Sequence, residues 1–162
     1  MILLGAGGVG RAVAYLCAAK GAAHVWLLNR SVAKAEAVAA EVNAMCGRDC
    51  VTAMKADGWK ELTGRKYLAI QATSVGLHPN SDQAVVEEPA FYQMIHTGYD
   101  LIYKPAQTRF MQHCSETEVR AFNGLKMLVY QGVDAFELWN NVKVEKEQAD
   151  QIYEMLSRKT AV

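Results

Sequence analysis

Met1-Ile-Leu-Leu-Gly5-Ala-Gly7-Gly-Val-Gly10-Arg11 decides the fold, because it reads as one apolar strand running directly into a glycine-rich turn and then a helix. Ile2, Leu3 and Leu4 supply the buried strand. Gly5, Gly7 and Gly10 fit the spacing GxGxxG: one glycine for a tight turn, one for close approach of backbone to a pyrophosphate, one for packing helix on strand. Ala12, Val13, Ala14, Leu16 and Ala18 give the helix small residues for that packing, and its first N–H groups and positive dipole end face the phosphates. Three glycines in six residues also make ordinary turns. The flanking strand and helix are what favour a nucleotide grip over a plain turn.

Outward from this stretch the pattern alternates. Lys20-Gly21 ends the helix, and His24 to Leu28 is a second strand, completing a βαβ unit. Dinucleotide folds select their cofactor at the tip of this strand, where an acid about 20 residues past the glycines binds the ribose 2′-OH of NAD. Asn29-Arg30-Ser31 stands there instead, with Lys34 one turn on. Two cations and a hydroxyl suit the 2′-phosphate of NADP, and the flat guanidinium of Arg30 can stack on adenine while donating to phosphate. Ser31 is equally placed to cap the next helix, Ser31 to about Met45, and the two roles are compatible.

Val51 to Met54 reads as a third strand, at the sheet edge for strand order 3-2-1-4, and Asp57 as the cap of a short turn through Trp59. Tyr67 to Ala72 is the next buried strand. It ends at Thr73 and Ser74, where a doubly wound sheet reverses its winding and receives ligands, although Gly76 also suits a simple turn. Leu77 to Pro89 is polar and is expected to be a mobile loop over the cleft. A short helix from Phe91 to His96, a strand from Tyr99 to Tyr103, a helix starting at Thr108, a strand from Val119 to Phe122, and helices from Lys126 and from Glu145 to Arg158 complete the reading. The expected fold is α/β: a Rossmann-type doubly wound parallel sheet of about six strands flanked by helices, one domain over residues 1–162, with C-terminal helices over about 125–159.

The chain's 162 residues suit one domain, and its 17 basic and 17 acidic side chains cancel, which argues against nucleic acid as a partner. No apolar run nears the ~20 residues of a membrane span and no signal peptide is visible, so no membrane partner and a cytoplasmic protein are expected. Cys17, Cys46, Cys50 and Cys114 lack zinc spacing and read as reduced structural thiols, and His24, His78, His96 and His113 form no metal motif.

Four stretches together resemble shikimate dehydrogenases, specifically their C-terminal NADP-binding domain. These are GAGGVGRA from Gly5, NRSVAKA from Asn29, QATSVGL from Gln71 and DLIYKPAQT from Asp100, followed by NGLKMLVYQGVDAFELW from Asn123 to Trp139. Glutamyl-tRNA reductases resemble the first two but are not expected to carry the last. The resemblance implies that Gly5, Ala6, Gly7, Gly8 and Val9 bind the pyrophosphate, and that Asn29, Arg30, Ser31 and Lys34 bind the adenosine 2′-phosphate side. It implies that Thr73, Ser74, Leu101 and Gly124 line the nicotinamide end and that Tyr103 and Gln131 touch substrate. The implied reaction is the NADPH-dependent reduction of 3-dehydroshikimate to shikimate by hydride transfer, in the chorismate pathway to aromatic amino acids, with quinate as an alternative substrate.

Gln71 and Lys104 stand where that family usually has Asn, and Arg109 where Pro is common. The family's catalytic Lys and Asp belong to an N-terminal substrate domain expected to precede Met1, so no catalytic residue is assigned here and the chain alone is expected to be inactive. A free-standing NADP-binding regulatory or redox-sensing module is the alternative. Leu128, Phe136, Leu138 and Trp139 are expected to leave an apolar patch that pairs with a second copy, unless the last helix covers it.

Overall fold

The computed structural model describes residues 1–160. Six strands, β1 (Ile2–Leu4), β2 (Val25–Leu28), β3 (Val51–Met54), β4 (Tyr67–Gln71), β5 (Ile95–Asp100) and β6 (Arg120–Phe122), form one sheet in the order β3-β2-β1-β4-β5-β6, every neighbouring pair parallel. The winding reverses between β1 and β4. The helices are α1 (Gly8–Ala19), α2 (Val32–Cys46), α3 (Pro89–Gln93), α4 (Arg109–Glu116), α5 (Leu125–Asn140) and α6 (Lys146–Thr160), and a 3₁₀ turn spans Gly58–Glu61. The doubly wound sheet of six parallel strands is the fold expected from the sequence.

Because successive strand residues point to opposite faces, β1 feeds two cores. Leu3 packs with Leu27, Val25, Ala14, Ala18, Val38 and Val42 under α1 and α2. Ile2 and Leu4 pack on the other face with Phe91, Tyr92, Phe110, Cys114 and Trp59. Strands buried on both faces read as unbroken apolar runs, which is why ILL and VWLL were legible without alternation. Among the described residues no helix is long and apolar enough to cross a membrane.

Two expectations are corrected. The fifth strand is Ile95–Asp100, not Tyr99 to Tyr103. Gly98, left between the expected helix and strand, lies inside it, because α4 presses on the sheet there: a Cβ on Gly98 would come within 2.8 Å of Cys114 Sγ. Tyr103 therefore sits in the loop beyond β5. The preceding helix ends correspondingly early, at Gln93.

The 77–89 segment also differs from a loop lying wholly over the cleft. Its start does face the cleft at Leu77, but Val86 is buried in the second core and accepts a 2.6 Å hydrogen bond from Tyr92 Oη. Glu87 meets the buried ring of His113, Oε2 to Nε2 at 2.7 Å. Arg109 lies at the first position of α4, where proline is tolerated because that N–H has no helical partner. Arginine there adds ion pairs to Glu87 (3.5 Å) and Glu116 (3.7 Å).

Candidate functional site

The glycine loop is built by contact, residue by residue. Gly5 has φ +105°, a conformation L side chains rarely adopt, and a Cβ there would lie 2.7 Å from Thr73 Cγ2 and 2.8 Å from the Ala72 carbonyl oxygen. Gly10 lets α1 close on the turn, since its Cβ would fall 2.0 Å from the Gly5 carbonyl oxygen. Gly7 and Gly8 are the opposite case. A Cβ on either meets nothing within 4 Å, so both leave open space in front of the helix. Gly7 is the N-cap of α1 and no side chain caps it, which leaves the first-turn N–H groups directed at that space.

A cleft of ≈ 470 Å³ opens there, at the carboxyl ends of β1, β4 and β5. Its lining includes Gly7, Gly8 and Val9 from the glycine turn, Thr73 and Ser74 from the β4 exit, and Leu101 and Tyr103 from the β5 exit. Seven residues named from the sequence thus meet in one cavity. Ala72, Leu77, Ile102, Lys104 and Met127 complete it. Met127 comes from the first turn of α5, a contact no local pattern announces.

The remaining named residues stand around this cavity. Gly5 is buried behind the turn, and the Ala6 N–H donates to Asn29 Oδ1 at 3.2 Å. Asn29 Nδ2 donates to the Ser31 carbonyl at 2.8 Å, so this side chain ties the glycine turn to the β2–α2 loop. Ser31 occupies the N-cap of α2, yet its hydroxyl makes no capping bond. Arg30, Ser31 and Lys34 are exposed, and neither cation forms an ion pair among the described residues. Gly124 caps α5 and lies out of the cleft, where its missing Cβ allows the Leu101 carbonyl oxygen to approach (2.1 Å from a Cβ built there). Gln131 is exposed on α5, one turn beyond Met127 and outside the cavity lining.

Below the cleft lies a network that the sequence reading did not assign. Asp100 is wholly buried at the end of β5. Its Oδ1 accepts from the Ile102 N–H (2.9 Å) and Gln71 Nε2 (3.3 Å), and its Oδ2 accepts from Thr108 Oγ1 (2.5 Å). Gln71, also buried, donates to the Val75 carbonyl (3.0 Å) and accepts from the Thr73 N–H (2.5 Å). Burial pushes the Asp100 carboxyl up to about 6, against the opposing pull of the Thr108 hydroxyl and the Ile102 N–H. The only signal in the sequence was one acid inside the apolar run YDLIY.

Comparison with known proteins places these motifs. Residues 124–151 match the Shikimate 5'-dehydrogenase C-terminal domain family. A shikimate dehydrogenase (NADP(+)) of Methanosarcina mazei is 34% identical over 143 residues, 88% of this chain and 50% of the relative. Among solved structures, quinate dehydrogenase from Corynebacterium glutamicum in complex with NAD superposes with a TM-score of 0.82 at 25% identity, covering 96% of this chain and 54% of that one. Shikimate 5-dehydrogenase from Thermus thermophilus in complex with NADP(H) and shikimate gives 0.76 at 28% identity, covering 95% and 54%. The chain spans about half the length of the curated relatives it matches, and what it matches is their C-terminal part.

Proposed function

We propose, from a chain that matches the C-terminal part of shikimate dehydrogenases, that this protein is the NADP(H)-binding half of such an enzyme. The observation that carries the reading is the open, uncapped N-terminus of α1 in the cleft wall, with Arg30 and Lys34, which form no ion pair among the described residues, following Asn29, which is bonded to that turn. The pyrophosphate lies on the N–H groups of the Gly7–Val9 turn, in the space that Gly7 and Gly8 leave free. Arg30, Ser31 and Lys34 hold the 2′-phosphate, while Asn29 keeps their loop against the turn. Thr73, Ser74 and Leu101 bound the nicotinamide end, with Gly124 behind Leu101.

When bound, the cofactor supplies the hydride for reduction of 3-dehydroshikimate to shikimate. This chain's residues bind and orient it, and Tyr103 at the cleft rim and Gln131 on α5 contact the substrate once the other half of the enzyme is present. The general acid or base belongs to that other half. The isolated chain therefore turns over no shikimate: lacking a placed proton-transfer group costs about 10²- to 10⁴-fold, before the loss of substrate positioning. A regulatory or redox-sensing NADP module is the second reading. Tyr103 and Gln131 favour the enzyme, since a pure cofactor sensor has no use for polar groups toward a second ligand.

Calorimetry tests the cofactor reading. NADP(H) is expected to bind at least ~10-fold more tightly than NAD(H), the worth of one charge-assisted phosphate contact, and Arg30→Ala to erase most of that preference. Equal affinities, or no effect of Arg30→Ala, would remove the argument from the second-strand tip. Shikimate oxidation by the isolated chain at a rate usual for an intact dehydrogenase would place the catalytic groups within these residues instead.

A further inference from the structure

We propose that Asp100 is the positioning residue of the cofactor cleft, holding the Thr73–Val75 turn, through Gln71, and the Ile102–Tyr103 segment in the register that receives the dinucleotide. The inference rests on the cofactor-binding reading above. It takes that reading a step further, from the residues that line the cleft to the one that sets their geometry.

The geometry is specific. Two walls of the cleft are the chain segments that leave β4 and β5; the strand register ends at Gln71 and Asp100, and past it the backbone ties are the Ala72 N–H to the Leu4 carbonyl, the Leu101 N–H to the Gln71 carbonyl and the Gly124 N–H to the Ile102 carbonyl. Beyond that register, Gln71 reaches forward to bond both the Thr73 N–H and the Val75 carbonyl. Its amide nitrogen then anchors on Asp100, which also takes the Ile102 N–H. The third donor, Thr108 Oγ1, simultaneously accepts from the Met111 N–H as the N-cap of α4. One carboxylate thus collects donors from the β4 exit, the β5 exit and the start of a helix. An ionised carboxylate is acceptor-only, so it satisfies all three at once, whereas any neutral amide or hydroxyl presents a donor to one of them.

Nothing about folding alone calls for a charge there. No cation pairs with Asp100 among the described residues. The titratable groups that feel it are Cys114 on α4 and Tyr92 on α3, and its own burial favours the neutral acid. The Tyr92 hydroxyl is committed to the Val86 carbonyl, and Cys114 is a buried thiol pushed up to about 12 by burial and then by Asp100 itself. A costly buried charge at a cleft, aimed at the two segments that shape it, is the pattern of a site traded against stability.

The test uses Asp100→Asn in the full chain. At neutral pH it is expected to bind NADP(H) at least about 5-fold more weakly, the loss of charge assistance in these hydrogen bonds. Amide exchange in the ligand-free protein should quicken at Thr73 and Ile102, whose N–H groups donate to Gln71 and Asp100, while Leu3 and Leu27 stay protected, and the denaturation midpoint should not fall. Opposite effects on affinity and stability are what a merely structural residue cannot produce. Thr108→Ser, which keeps the hydroxyl, should retain wild-type affinity, and the isosteric Thr108→Val should lose it.

Binding by Asp100→Asn within 2-fold of wild type would overturn the proposal, as would unchanged exchange at the two amides. So would a loss of affinity accompanied by lower global stability. If the wild-type chain binds neither NADP(H) nor NAD(H), the cofactor reading fails by itself, and amide exchange then decides whether Asp100 holds the two segments.

Discussion

Asp100→Asn is expected to change how stability depends on pH, and the size follows from burial. The folded carboxyl stands at about 6 against an ordinary 3.8, so the folded protein holds this proton more tightly than the unfolded chain does. The sign is fixed by that order. Below 3.8 both states are protonated and nothing is lost; as pH rises toward 6 only the unfolded chain ionises freely, and stability falls; above 6 the cost is complete. At about 1.4 kcal/mol per tenfold in proton affinity, the full cost is about 3 kcal/mol, of which about 2 kcal/mol develops between pH 4 and pH 7. Other acids contribute the opposite slope, because their carboxyls are held down by partners: Glu137 by Lys143, Asp150 by Lys126. The quantity to measure is therefore the difference between variant and wild type. Urea denaturation followed by circular dichroism at pH 4, 5, 6 and 7 should show that difference shifting by about 2 kcal/mol in favour of Asn, with unchanged m. Parallel stability curves would refute the reasoning, and so would a variant several kcal/mol less stable at pH 7.

Two glycines of one motif should behave oppositely. Gly10→Ala places a Cβ 2.0 Å from a backbone oxygen that cannot move aside, and is expected to cost about 3 kcal/mol or more in denaturant titration. Gly7→Ala meets open space, so its stability should stay within about 1 kcal/mol of wild type while dinucleotide binding by calorimetry is lost; retained binding would show that the turn is not the pyrophosphate site. The isolated chain is also expected to self-associate. Helix α6 packs on α5 around Val129 and Tyr130, whose hydroxyl reaches Asp150, yet Phe136, Leu138 and Trp139 remain 52%, 80% and 81% exposed. Pairing that buries them, at about 25 cal/mol per Å², favours a symmetric dimer. Sedimentation over a concentration series should detect it and show its loss in Leu138→Glu/Trp139→Glu, whereas a wild-type monomer at high micromolar concentration would dismiss the idea.

The architecture was legible because its signals are local. Ile2–Leu4 and Val25–Leu28 are apolar runs almost wholly buried, β4 is buried from Ala69 to Gln71, and the glycines of 5–10 carry their reason in their spacing. The sequence by itself determined the parallel sheet, the place where its winding turns, the glycine turn that opens the cleft, and the basic tip at Arg30 with no acid beside it. Helical periodicity likewise found α5 and α6, but not which of their apolar residues stay uncovered, since that depends on how one helix crosses the other. Tertiary structure alone decided the fifth strand, because Gly98 weakens a strand in the sequence pattern until α4 is set against it. It alone brought Met127 to the cleft and left Gln131 a turn away. Above all it made Asp100 significant: a carboxylate, an amide and a hydroxyl at positions 100, 71 and 108 have no periodicity in common, and only the meeting of two strand ends with a helix start puts three donors around one buried charge.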